Sequence, residues 1–198
     1  MQSETFRTLI GPIENVRRVI WIAFLAAVPI YVCVAYTMIA RSAIGVEPPP
    51  AIPLKIPLVI LSLVLAALAP YMPRLILPDS RLRQLIEQPP EVIARDPRTG
   101  RVDEEKLARI KTLSLDEKRL FAIVSYLFVG FIVRLAFNEA IALYGLVLAF
   151  MSRSFVAVLP FAVASLALNL MVPSLLDSAL KRAASLGLEP GDLPIQPR

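Results

Sequence analysis

Residues 120–151 read LFAIVSYLFVGFIVRLAFNEAIALYGLVLAFM, and within them stand one cation, Arg134, one anion, Glu139, and one amide, Asn138. A hydrocarbon core about 30 Å thick takes about 20 apolar residues in a helix. These 32 residues, at about 1.5 Å of rise each, measure roughly 48 Å, so the stretch reads as a transmembrane helix that tilts or protrudes. A charge at bilayer depth costs about 2.5–3.5 kcal/mol on the insertion scale, so Arg134 and Glu139 each demand a reason.

Outward from this stretch lie three more apolar runs, 19–40, 52–73 and 155–172. The chain is 57% hydrophobic, against roughly 45–50% for a soluble domain, with a mean hydropathy of +0.66. The expected fold class is all-α: an integral membrane four-helix bundle with a short helical cytoplasmic loop. Arg17 and Arg18 precede the first run as they would in a signal peptide. That run has 22 residues, beyond the roughly 7–15 of such a segment, and no small-x-small cleavage site follows it. It reads as an uncleaved first span.

Charge then orients the bundle. With both termini inside, seventeen Lys and Arg fall on the inner side, eleven of them between Arg74 and Arg119. Arg41, Lys55 and Arg153 fall outside, and Arg134 within a span. That asymmetry places both termini in the cytoplasm, in the inner membrane of a bacterium. The net charge of +5 thus belongs to topology and the lipid bilayer, with no nucleic acid as partner.

The expected organisation is an interfacial segment over 1–18, spans 1 and 2 over 19–73, a cytoplasmic loop over 74–119, spans 3 and 4 over 120–173, and an amphipathic helix with a disordered tail over 174–198. Gly11-Pro12 should break the first segment, and Pro29 should kink span 1. Pro48-Pro49-Pro50 marks an extended outer connection. In the loop, Asp79-Ser80 caps a helix through Leu82, Leu85 and Ile86 that Pro89-Pro90 ends. Asp96-Pro97-Arg98-Thr99-Gly100 is a turn. A helix over 103–112 pairs Glu105 with Arg109 and presents Leu107 and Ile110 on one face. Ser114 and Glu117 form a capping box that starts span 3. Ser174 opens the last helix, with Leu176, Leu180 and Ala183 along one face. These loop elements read as solvated surface.

Histidine is absent, which removes His-based zinc, haem and Ser-His chemistry together. The lone Cys33 reads as a small buried hydrophobe and permits no internal disulfide. No phosphate-loop or dinucleotide motif is present and no loop gathers a catalytic set, so no enzyme, cofactor or metal is expected.

Chemistry concentrates in span 3. If the Ser152-Arg153-Ser154 turn returns span 4 antiparallel, residues at equal depth sum to about 306 and Asn169 lies opposite residue 137. A hydrogen bond from Asn169 to Asn138 or Glu139 follows, worth about 0.6–2 kcal/mol in a bilayer. Arg134 and Glu139 are five residues apart, about 140° around the helix, so they do not share a face. Arg134, Asn138, Ile141 and Gly145 form one stripe, with Glu139 about 100° away. Tyr31, Tyr36, Thr37, Ser62 and Ser165 are the polar side chains of the other spans.

Leu135-Ala136-Phe137-x-Glu139-Ala140 followed by Tyr144-Gly145-Leu146-Val147-x-Ala149 resembles the second helix of the ATP synthase c subunit, the rotor-ring proteolipid. That resemblance implies that Glu139 takes up a proton or sodium ion, with Tyr144 at the position of the family's tyrosine; Asn138, next to Glu139 in the sequence, completes the candidate ion-binding set. It covers this helix alone. The c subunit is a two-helix hairpin with a Gly-rich first helix, whereas this chain has four apolar runs, seven Gly and an Arg at 134. The stretch is also similar to small four-span bacterial membrane proteins with no assigned activity. The primary expectation is therefore a non-catalytic membrane component in which a structural polar cluster of Arg134, Asn138, Glu139 and Asn169 fixes the bundle or docks other membrane subunits or a second copy. The alternative is a small proton- or sodium-handling protein using Glu139.

Overall fold

The computed structural model describes residues 3–42, 52–76, 78–95, 99–172 and 174–186. Most of the outer connection, the Asp96-Pro97-Arg98 part of the expected turn and the C-terminal tail lie outside the described residues. The described chain is all-helical apart from one isolated antiparallel bridge between Arg95 and Val102. In order it forms α1 (Glu4–Ser42), α2 (Ile52–Leu68), α3 (Met72–Ile76), α4 (Asp79–Ile86), α5 (Pro90–Ile93), α6 (Glu104–Lys111), α7 (Leu115–Ser152), a 3-10 turn (Phe155–Val158), α8 (Leu159–Leu170) and α9 (Leu175–Ser185). Helices α1 and α7 are each long and apolar enough to cross a bilayer, and α8 with α9 would make a third, broken span. Helix α2, with 17 residues, is shorter than a full span.

Two of the expected breaks take a different form. Helix α1 runs through Gly11-Pro12 without interruption. Pro12 has no N–H, which leaves the Thr8 carbonyl without its i+4 donor, and a helix-interior Pro costs about 3 kcal/mol. Phe6 and Ile10, in the turns before it, are buried, and each such side chain contributes about 1.5–3 kcal/mol. Tertiary burial outweighs the local penalty. Pro90 does not only follow α4; it opens α5, a place that suits its fixed φ and missing donor.

The described chain divides into two compact units. Unit 1 takes its residues from Met1–Arg17, Arg74–Phe131 and Pro173–Arg198, and unit 2 from Arg18–Pro73 and Ile132–Val172.

Unit 1 is built around the first half of α7. Leu120, Phe121, Ala122, Ile123 and Val124 are consecutive and all buried, so protein surrounds this helix on every side. Phe6 and Ile10 of α1, Leu82 of α4, Leu107 and Ile110 of α6, and Leu175 and Ala179 of α9 complete the core. Sequence-local devices hold the ends. Ser114 Oγ accepts from Glu117 N–H while the Glu117 carboxylate accepts from Ser114 N–H, the reciprocal pattern of a capping box. The same carboxylate accepts from Ser3 N–H at 2.7 Å, tying the chain's start to α7. Arg182 pairs with Asp79 at 2.9 Å, and Arg83 donates to the Leu186 carbonyl. Residues 74–119 and the last helix are thus packed elements rather than isolated surface ones. Residues 120–131, expected in the membrane, belong to this helical unit. On α9 the buried residues are Leu175, Ala179, Arg182 and Ala183; of the expected stripe Ala183 is buried, while Leu176 and Leu180 are half-buried.

Unit 2 packs α1, α2 and α8 around the second half of α7. Val28 of α1 meets Ala142 of α7 and Ala162 of α8, while seven residues on Ala35 meets Ala149 and Val158. Numbers rise together on α1 and α7 and fall on α8, so α1 runs parallel to α7 and α8 antiparallel to both. Lys55 and Val59 of α2 share a pocket with Leu148 and Ser152 of α7. The Ser152-Arg153-Ser154 turn is a Schellman ending: Ser154 N–H donates to the Ala149 carbonyl and Arg153 N–H to that of Phe150. Arg153 takes the left-handed position at φ 47°. Pro160 cannot donate within a helix, so it sits in the first turn of α8 and the preceding residues tighten into the 3-10 turn. A Cβ on Gly145 would lie 2.5 Å from Phe161 Cβ, so only glycine admits this approach of α7 and α8. Cys33, expected to be buried, is exposed.

Candidate functional site

Three helices of unit 2, α1, α7 and α8, bring polar side chains toward one another. Asn138 of α7 donates through Nδ2 to Asn169 Oδ1 of α8 at 2.9 Å, and both side chains are fully buried. Their numbers sum to 307, within one of the depth rule expected from the turn. Trp21 of α1 donates through Nε1 to the Asn169 backbone carbonyl at 2.9 Å. That bond gives a second donor to a carbonyl in the last turn of α8, which also accepts from Val172 N–H at 3.3 Å. Three helices therefore meet at Asn169.

Glu139 is 8% exposed, and neither of its carboxylate oxygens has a hydrogen-bond partner. The Tyr31 hydroxyl of α1 approaches it without meeting hydrogen-bond geometry. Ser165 of α8 is fully buried with its hydroxyl also without a partner.

Arg134 stands apart. No ion pair joins it to Glu139, as the 140° separation on one helix requires. Its Nε has no partner, and the side chain is half-buried. By the α7–α8 register Arg134 is level with Val172, beyond the end of α8 at Leu170. By the α1–α7 register it is level with Ile20. It therefore lies at an end of unit 2, not at mid-depth where the uniform apolar run had suggested. Tyr144 is half-buried and not bonded to Glu139. Of the expected set, then, the structure bonds Asn138 to Asn169, leaves Glu139 beside them unpartnered, and separates Arg134 and Tyr144.

Trp21 is the participant sequence reasoning missed. No pattern in the sequence pointed to a carbonyl 148 residues away.

The arrangement has two chemical capacities. The Asn138–Asn169 bond, enclosed by apolar side chains, fixes the rotation and register of α7 against α8, because any slip leaves two buried amides unpaired. The Glu139 carboxyl offers two free oxygens to whatever can reach it. Comparison with known proteins found no match: no family model fits the chain, and no curated protein or solved structure resembles it significantly.

Proposed function

We propose that this chain is a non-catalytic integral membrane protein, a four-span bundle with both termini cytoplasmic, acting as a structural or assembly component of a membrane complex. The observation that carries the reading is the surface of unit 2. Val19, Ile22, Ile30, Met38, Ile60, Leu63, Val163 and Leu170 are all more than half exposed, a concentration of large apolar side chains that suits lipid better than water. Sealed inside that apolar coat is the Asn138–Asn169 bond. The part of α7 in unit 2, residues 132–152, is about 30 Å long at about 1.5 Å per residue, one hydrocarbon thickness. The excess of Lys and Arg in the segments at the termini and over 74–119 puts these on the cytoplasmic side of a bacterial inner membrane.

Cys33, exposed on unit 2, provides the test. In intact membranes it reacts with a lipid-soluble maleimide and resists a water-soluble one. Reaction with both reagents equally overturns the membrane-span reading. For assembly, the protein mass of the particle extracted in mild detergent, with the bound detergent subtracted, should exceed one 21.8 kDa chain. A strictly monomeric particle overturns the assembly role.

The unpartnered Glu139 carboxyl favours a second reading, a proton- or sodium-handling protein. A hydrophobic carbodiimide, which attacks protonated carboxyls, would label Glu139 increasingly toward low pH, sodium would block the reaction, and Glu139→Gln would abolish it. A folded protein that stays unlabelled across the pH range removes this reading.

A further inference from the structure

We propose that a pocket in unit 1 binds the zwitterionic phosphoethanolamine headgroup of a phospholipid; this rests on the membrane reading above. The pocket, about 360 Å³, lies between the N-terminal part of α1, the first turns of α6 and Phe121 of α7. Leu9, Pro12, Ile13 and Phe121 give it an apolar wall. Asp103, Glu105, Lys106 and Arg109 line the rest, two charges of each sign.

Two of those four charges satisfy each other. Glu105 and Arg109 are paired at 2.6 Å. Lys106 holds its ammonium 5.8 Å from the centre of the Phe121 ring and forms no ion pair among the described residues. Asp103 uses Oδ1 to cap α6, accepting from Lys106 N–H at 3.0 Å, which leaves Oδ2 for another donor. The pocket therefore presents one free ammonium and one free carboxylate oxygen, three residues apart at the start of one helix. A ligand complementary to that pair carries an anion and an N–H cation a short linker apart. Phosphoethanolamine has that form, with two carbons between its phosphate oxygen and its amine. The apolar wall takes the glycerol and the first methylenes.

Position supports the same occupant. The pocket residues of α1 stand five to ten positions ahead of Arg18, after which the apolar run opens at Val19. At about 1.5 Å per residue Ile13 is roughly 8 Å of helix before it, which is headgroup distance. Charge complementarity also discriminates among lipids. Phosphocholine has no N–H to give Asp103, and phosphoglycerol brings an anion with no cation to answer that carboxylate.

The test uses the full-length protein in mild detergent with equal amounts of phosphatidylethanolamine, phosphatidylcholine and phosphatidylglycerol, and reads retained lipid by native mass spectrometry. One phosphatidylethanolamine should be retained about fivefold or more above either competitor, the discrimination of about one hydrogen bond. Lys106→Gln should remove that retention. Asp103→Asn keeps the helix cap and should reduce phosphatidylethanolamine to the level of phosphatidylcholine. Equal retention of all three, preference for phosphatidylglycerol, or indifference to both substitutions overturns the proposal. A chain that stays dissolved without detergent fails the membrane reading itself; one that needs detergent yet shows no headgroup preference fails only this inference.

Discussion

The two halves of α7 are alike in composition and opposite in surroundings. Residues 120–124 are buried on every side by the helices of unit 1. In the second half, Leu135, Asn138, Ala142, Gly145 and Ala149 are buried while Leu143, Val147 and Phe150 are exposed. The buried residues follow steps of three and four, one stripe of a helix, and the outer face is as hydrophobic as the inner. Hydropathy reports only that a side chain avoids water. Whether protein or lipid replaces the water is decided by what else folds against it, and here that came from α4, α6, α9 and the start of α1.

The contrast breaks most sharply on a large side chain. Phe121→Ala should destabilise unit 1 by about 3–5 kcal/mol, read by denaturant unfolding in detergent. Next comes the tightest contact in unit 2. Gly145→Ala places a methyl against Phe161 and should cost about 1–3 kcal/mol in thermal unfolding, because backbone must move to admit it. A loss as small as that of an ordinary surface change would mean α7 and α8 are not in this close contact.

Glu117→Ala removes the capping-box acceptor and the tie to Ser3, at a cost of about 0.5–2 kcal/mol near neutral pH. Burial alone would raise the Glu117 carboxyl, but hydrogen bonds from Ser3 and Ser114 outweigh it and hold the group below the usual Glu range. The folded state thus favours the ionised form. Its contribution is complete above the unfolded-state value, about 4.3, and fades as pH falls through the lowered folded value. Wild type and Glu117→Ala should therefore converge in stability in acid; a constant gap would refute the linkage. Asn138→Ala should cost about 0.6–1.7 kcal/mol, and a double-mutant cycle with Asn169→Ala should recover a coupling of that order. Smallest of all, Val147→Ala on the exposed face of α7 should fall within about 0.5 kcal/mol.

Local chemistry was legible in the sequence wherever a short-range rule governed it. The Ser114–Glu117 box, the Glu105–Arg109 pair at 2.6 Å, the Ser174 cap and the opposition of Asn138 to Asn169 all follow from spacing alone. The depth of Arg134 did not. Its place depended on where α7 leaves unit 1, and no residue between Leu120 and Met151 marks that passage. The continuity of α1 past Pro12 was equally hidden, because the burial of Phe6 and Ile10 that sustains it comes from distant segments. Tyr31 was visible as a polar residue, but its approach to Glu139 depended on how α1 packs along α7.

Trp21 is the only tryptophan in the chain, and its indole N–H is engaged by the Asn169 carbonyl. Ultraviolet emission excited at the red edge of absorption therefore originates from one site, where the first and last helices of unit 2 touch. The protein carries its own optical gauge of that closure, sensitive to loss of the bond and the entry of water, and readable in lipid without an added dye.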